Sequence, residues 1–268
     1  MKPVASAGAD GVTFCANRSE VIRAAEAVLG KKNKLGDVND AVVLQEKISG
    51  QQYIVNAVSI GGRHYISEIW RDDKIHVPGA SLICDREILL SPGTPLTDAL
   101  EDYVIRCLDA LGVREGPSHS ELFKTDGGDL VLIETAARMQ GTIDHEAVIE
   151  ATGHSHVTLT ALRYADPDSF SKLLGARYAR RSHLHCITLC AQRSGIVKDN
   201  RSLHYLSALK SFRSLMHTPQ KGEPIYRTVD LFTNSGIVYL ANENEKILEF
   251  EYQFIRRLES SGKLISLL

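Results

Sequence analysis

An excess of positive charge is missing from this chain. Its 31 Lys and Arg residues face 33 Asp and Glu, for a formal net charge of −2, so it carries no electrostatic footprint for nucleic acid or an anionic membrane. No apolar run reaches the ~18 residues that a membrane-spanning helix needs, and the first residues do not form a secretory signal. Cysteine is scarce: residues 15, 84, 107, 186 and 190 make neither an even framework nor a Cys-x-x-Cys pair, which predicts a reducing, cytoplasmic setting. A nucleophile elbow is absent, so Ser-His-Asp hydrolysis is set aside. His183 and His185 share one face of a predicted strand while Cys186 and Cys190 share the other, so they cannot close one zinc tetrahedron. Tryptophan occurs once, at Trp70.

What is present is ordinary for a globular enzyme of one or two domains: 268 residues, 43% hydrophobic and 24% charged. Lys2-Pro3-Val4 reads as the end of a buried strand. The small, glycine-rich run from Ser6 to Gly11 follows, and residues 12–15 resume a strand. Such a loop can lay backbone N–H groups over phosphates, although most short glycine-rich loops are turns. Residues 17–29 form an amphipathic helix capped by Asn17 or Ser19 and stopped by Gly30. Residues 42–48 read as a short buried strand ending in Glu46-Lys47-Ile48, then turned by Ser49-Gly50. A hairpin pairs 53–59 with 63–70 across Gly61-Gly62. Trp70 and Arg71 at its end could stack on a ligand or simply pack. Residues 71–95, with Pro78, Pro92 and Pro95, read as a long excursion covering a site. The clearest helix spans 97–111 with Thr97 as cap, and two more are expected near 144–151 and 157–164. Asp166-Pro167-Asp168 is the best boundary. Beyond it the chain is strand-rich at 183–191, 228–233 and 236–241, with helices near 202–209 and 249–258. The fold class is α+β, with antiparallel hairpins dominating.

The informative stretch is 117–138. Two apolar-rich runs flank Thr125-Asp126-Gly127-Gly128, a strong hairpin signal. Pairing Thr125 with Gly128 sets Lys124 against Asp129, Glu121 against Leu132 and His119 against Glu134. Glu121 and Glu134 then point the same way as diagonal neighbours, roughly 7–8 Å apart at Cα. Two acids that close repel unless a proton or cation lies between them. A hard divalent ion with oxygen ligands, Mg²⁺ rather than Zn²⁺, suits the pair. Arg138 could hold a phosphate or carboxylate beside it. The same residues also suit a solvated hairpin face with scattered charge, and spacing does not choose between the two.

Taken in order, these pieces resemble the ATP-grasp superfamily: a Lys before a small-residue flap, an acidic-basic hinge followed by Gly, then two metal acids. The matching residues are Lys2-Pro3 with Ser6 to Gly11, Glu46-Lys47-Ile48-Ser49-Gly50, Glu121, and Glu134-Thr135-Ala136-Ala137-Arg138 with Gly141. The Glu-x-Ala-Ala-Arg run, the preceding His-Ser-Glu and the strand-rich tail are most similar to the L-amino-acid ligase branch, with biotin carboxylase-like enzymes as the next cousins. The resemblance implies an ATP-grasp fold of two lobes of antiparallel sheet plus helices, with an incomplete small lobe at 1–47, a large lobe at 48–165 and a C-terminal subdomain at 166–268.

It further implies that adenine lies against Glu46, Lys47 and Ile48, and phosphates under Lys2, Ser6, Gly8 and Gly11. Mg²⁺, with Mn²⁺ as a substitute, falls to Glu121 and Glu134. Lys2 and Arg138 have catalytic roles, and Trp70, Arg71 and Gly141 lie near the substrate. The partners implied are small-molecule carboxylates and amines, amino acids among them, and a homodimer is compatible. Three departures stand out. Relatives carry an N-terminal domain and an earlier ATP-binding lysine, so the chain is expected to be part of a larger ligase. Gln52 stands where many have Glu, and Ala136 replaces an Asn, which argues against a metal ligand there. The alternative from another class is a nucleotide-binding or interaction module without turnover.

Overall fold

The computed structural model describes residues 1–76 and 82–268. In chain order the strands are β1 (Lys2–Pro3), β2 (Val42–Val43), β3 (Gly50–Ile60), β4 (Arg63–His76), β5 (Leu82–Leu89), β6 (Gly116–Thr125), β7 (Leu130–Ala136), β8 (His183–Leu189), β9 (Gly195–Asp199), β10 (Phe212–Met216), β11 (Pro224–Ile225), β12 (Gly236–Asn242) and β13 (Ser266–Leu267). The helices are α1 (Arg18–Val28), α2 (Pro95–Ala110), α3 (His145–Thr152), α4 (His156–Ala165), α5 (Pro167–Ser171), α6 (Arg201–His204) and α7 (Glu245–Ser260). This is the α+β architecture expected.

One eight-stranded sheet, in the order β10-β12-β8-β5-β4-β3-β6-β7, organises the chain, and every neighbouring pair is antiparallel. Its central hairpin forms as the sequence predicts. Gly61 and Gly62 take positive φ values of 58° and 76°, the two-residue turn whose twist matches antiparallel strands. The flanking strands are longer than expected because β3 is buried almost end to end. Leu100, Val104 and Leu108 of α2 and Ala147, Val148 and Ala151 of α3 share a core with Val55, Ile69, Leu184 and Tyr239. Leu248 and Ile255 of α7 seal a second cluster with Ile187 and Val238. Strands on both sides of Asp166 therefore belong to one sheet, and Asp166 itself caps α5. Among the described residues no helix is long and apolar enough to cross a membrane.

Several elements differ from expectation. Two parts of the expected 71–95 excursion are regular strand: 71–76 continue β4 and Leu82–Leu89 forms β5, both inside the sheet. Residues 77–81, including Pro78, lie outside the described residues. The charges at the end of β4 hide that strand in the sequence, but they are paired: Lys74 with Asp72 at 2.5 Å and Arg71 with Asp73 at 2.8 Å. The cap of α2 is Thr94, and Thr97 is the third helical residue of the reciprocal capping box. Residues 12–15 form no strand. Met1 and Thr13 exchange two backbone hydrogen bonds, but Pro3 has no N–H with which to extend that ladder. Only Val42 and Val43 of the expected 42–48 strand pair, with Pro3 and Lys2. Residues 228–233 contain a short 3-10 turn, Leu231–Thr233, in place of a strand, and α7 begins at Glu245, earlier than expected, under an Asn244 cap.

Candidate active site

The site lies on one face of the sheet at its β6–β7 end. The turn after Thr125 is wider than the sequence suggests: Thr125 N–H donates to Asp129 O at 2.8 Å and Gly128 N–H to Thr125 O at 2.9 Å. Lys124 accordingly pairs with Leu130 and Leu122 with Leu132, and a bulge at Ile133 then sets Glu121 opposite Glu134 and His119 opposite Ala136. The expected register, with Glu121 facing Leu132 and His119 facing Glu134, is corrected. The bulge adds one residue to β7, so the two acids are direct cross-strand neighbours, a relation that puts Cβ atoms about 4.5–5.5 Å apart.

Each acid has its own partner. Lys2 reaches from β1 to donate to Glu134 Oε2 at 2.8 Å, and half of the Glu134 side chain is exposed. Gln52 of β3 donates to Glu121 Oε2 at 2.7 Å, and His119 Nε2 lies 3.3 Å from Glu121 Oε1. His119 Nδ1 meets Asn56 Oδ1 at 2.9 Å. Burial acts to raise the Glu121 carboxyl, but the His119 hydrogen bond and the charges of Lys74 and Lys2 outweigh it and hold the group below its ordinary range.

Alternation carries the polar row across the sheet. Gln52 pairs with Asp72 and Asp72 with Glu87, so these side chains share the face of Glu121. Gln140, in the loop after β7, ties the row together: its Nε2 donates to Glu87 Oε2 at 2.8 Å, while Asn56 Nδ2 donates to its Oε1 at 2.6 Å. Burial pushes the Glu87 carboxyl up to about 8, with the Asp72 charge adding to it, and burial pushes Glu68 up to about 7. Burial raises Asp72 as well, opposed by the Lys74 ammonium beside it. Gln52 was singled out only as a departure from the family pattern, and Asn56, Asp72, Lys74, Glu87 and Gln140 were not anticipated from the sequence. For those on strands the signal was polar residues recurring at alternate positions inside otherwise apolar runs; Gln140, in a loop, had none.

The remaining expected positions divide. Ser6 donates to Asp10 Oδ2 at 2.8 Å, and Gly8 and Gly11 take φ values of 62° and 69°, so the loop is a sharply turned flap. Residues 44–49 pair with no strand; Glu46 and Lys47 are exposed, and the Lys47 ammonium lies 5.1 Å from the Phe14 ring centroid. Arg138 is exposed just past β7 and donates to Met139 O at 2.9 Å, and Gly141 is exposed in the same loop. Two positions separate from the cluster. Trp70 is 1% exposed, so its ring offers no face to a ligand, and it packs in the core. Arg71 alternates onto the face opposite Asp72 and forks onto Asp73. Both corrections follow from the strand continuing past the point where the sequence suggests an end.

Glu121 and Glu134 fit a hard divalent cation in donor chemistry: two opposed carboxylates, with an ammonium from Lys2 compensating the charge of one of them. Among the described residues no three His, Cys, Asp or Glu side chains gather to hold an ion on their own. That suits Mg²⁺, which is commonly held by one or two carboxylates together with water and phosphate oxygens.

Comparison with known proteins gives the family and the fold. A family model described as an ATP-grasp domain matches residues 1–146. Dapdiamide A synthase of Enterobacter agglomerans is 26% identical over 262 residues, covering 97% of this chain and 61% of that protein. An L-amino acid ligase from Bacillus licheniformis superposes with a TM-score of 0.67 at 20% identity, over 83% of this chain and 52% of that one. The biotin carboxylase domain of the Hydrogenobacter thermophilus 2-oxoglutarate carboxylase, a dimer in complex with MgADP, ADP and bicarbonate, superposes at 0.62 with 16% identity, over 100% of this chain and 56% of that one. The structural likenesses show the fold. The chain spans 61% of the length of the curated relative and about half that of the ligase structure.

Proposed function

The chain belongs to the ATP-grasp family, and from that membership and its paired acids we propose an ATP- and Mg²⁺-dependent carboxylate–amine ligase, with amino acids as substrates. The single observation that carries the reading is the direct opposition of Glu121 and Glu134 with Lys2 between the flap and the acid pair. Glu121 and Glu134 would hold Mg²⁺, whose chemistry is to neutralise phosphate charge. Lys2 would exchange Glu134 for a phosphate, and the backbone of residues 6–11 would cover the phosphates. Residues 46–48 would border the adenine.

In this reading a substrate carboxylate oxygen attacks the γ-phosphorus, the bond to the bridging oxygen breaks, and ADP leaves. The acyl phosphate is then attacked by an amine at its carbonyl carbon; phosphate leaves and the amine loses a proton. The protein's own contribution is positioning and charge: Lys2 and Arg138 against developing negative charge, and Gln52 and His119 fixing the Glu121 carboxylate. The names of an L-amino acid ligase and of dapdiamide A synthase among the relatives support this class. The test is phosphate release from ATP in the presence of amino acids, with hydroxylamine added to trap an acyl phosphate as a hydroxamate. Amino-acid-stimulated release with hydroxamate is expected. ATP binding with release at background would overturn the ligase reading and leave a nucleotide-binding module.

A further inference from the structure

The glycine-rich flap does not stand free. At its tip, Gly8 O accepts a hydrogen bond of 3.4 Å from the N–H of Leu231. A Cβ at Gly8 would lie 2.8 Å from Cε2 of Phe232 and 3.1 Å from Cβ of Leu231. Gly8 therefore answers two demands at once, a positive φ of 62° and a bare backbone against an aromatic ring. Ala9, at φ 64°, completes the turn.

Both sides of this contact are braced from behind. On the flap side, Asp10 Oδ2 accepts from Ser6 Oγ at 2.8 Å and from the Lys34 N–H at 2.9 Å, and Asn33 Nδ2 donates to Ala5 O at 2.6 Å. On the other side, the Leu231–Thr233 turn is closed by Asp230, whose Oδ1 accepts from the Thr233 N–H at 2.9 Å. Thr228 anchors that turn to the end of β8: its Oγ1 donates to Thr233 O at 2.8 Å and accepts from the Ala191 N–H at 2.8 Å. Yet Leu231 is 36% and Phe232 47% exposed. A large ring kept at the surface, on a turn so firmly tied down, has little to gain from core packing. Its neighbour is the flap backbone.

We propose that the Leu231-Phe232 turn is the seat of the flap, and that Phe232 is a positioning residue holding residues 6–11 over the Lys2–Glu134 end of the site. The seat lies outside residues 1–146, the span matched by the family model. It stands on the contact geometry alone; its effect on nucleotide affinity rests on the proposed ATP site.

Two readouts on the full chain separate these. In hydrogen–deuterium exchange without nucleotide, Phe232→Ala is expected to speed exchange of the peptide covering residues 6–13 by about tenfold, while peptides from β3 and β6 stay unchanged. Phe232→Leu, which keeps an apolar side chain on Gly8, should return exchange to near the native rate. By calorimetry, the Kd for ATP should rise about fivefold in Phe232→Ala, and by less than about twofold in Phe232→Leu. Unchanged flap exchange in Phe232→Ala would overturn the seat. Faster exchange with an unchanged Kd would overturn the positioning role. Faster exchange in a chain whose native form binds no ATP would sustain the seat and count against the ATP site.

Discussion

Glu121 and Glu134 face each other directly across β6 and β7, brought into register by the bulge at Ile133. Without that extra residue Glu134 would pair one position further along, opposite Ser120, and alternation would turn the two carboxylates to opposite faces. The bulge is thus what converts two acids thirteen positions apart into a pair. Lys2, from the other end of the chain's matched span, completes it at 2.8 Å from Glu134.

The hinge segment depends on a glycine. Gly50 opens β3 opposite Thr125 at φ 143°, and a Cβ there would lie 2.1 Å from the Lys124 carbonyl oxygen. We predict that Gly50→Ala costs more than about 2 kcal/mol, because backbone must move on two strands. Urea midpoints measure it. A cost below about 0.5 kcal/mol would contradict the close approach.

A second prediction concerns pH. Burial raises Glu68 to about 7 in the folded protein, above its ordinary 4.5. The folded state then binds more protons than the unfolded state between those values, so this group's contribution to stability is complete below about pH 4.5 and is lost as pH rises through about 7. The loss has a ceiling of roughly 3 kcal/mol. Glu68→Gln should flatten the decline in unfolding free energy between about pH 5 and 8, gaining on the native protein at the alkaline end. Parallel curves for the two proteins would refute the assignment.

Arg71 tests the alternation of β4. Its guanidinium lies on the far face from Asp72, forked onto Asp73. Arg71→Ala should leave ATP affinity within about twofold and cost no more than about 1 kcal/mol of stability, as for partly exposed ion pairs. A large loss of ATP affinity with stability intact would return Arg71 to the site.

How much of this was legible follows from what kind of signal each residue carries. Glu121 and Glu134 were legible as candidates because charge inside an apolar hairpin is conspicuous, and Lys2 as a candidate only through the resemblance of the whole order to the family pattern. Their pairing was not, because a bulge of one residue leaves no mark in composition. The end of β4 and all of β5 were obscured by Arg71, Asp72, Asp73, Lys74 and Arg86, which look solvated in one dimension and are ion-paired in three, Arg71 and Lys74 along β4 and Arg86 across to Asp73. Trp70 reads equally as a stacking platform or as core until the strand that carries it is known to continue on both sides. The Phe232 turn gave no signal, since its meaning lies in a contact with Gly8, 224 positions away along the sequence.

We predict that Glu121 and Glu134 make ATP binding depend on a divalent ion. The most direct measurement is a calorimetric titration of ATP into the full chain with and without Mg²⁺, repeated with Glu134→Gln, which removes charge from a half-exposed side chain and should leave the fold intact. Affinity at least about tenfold tighter with Mg²⁺ is expected in the native chain, with loss of that Mg²⁺ dependence in the variant. Equal Mg²⁺ dependence in both proteins would contradict the metal role of the pair.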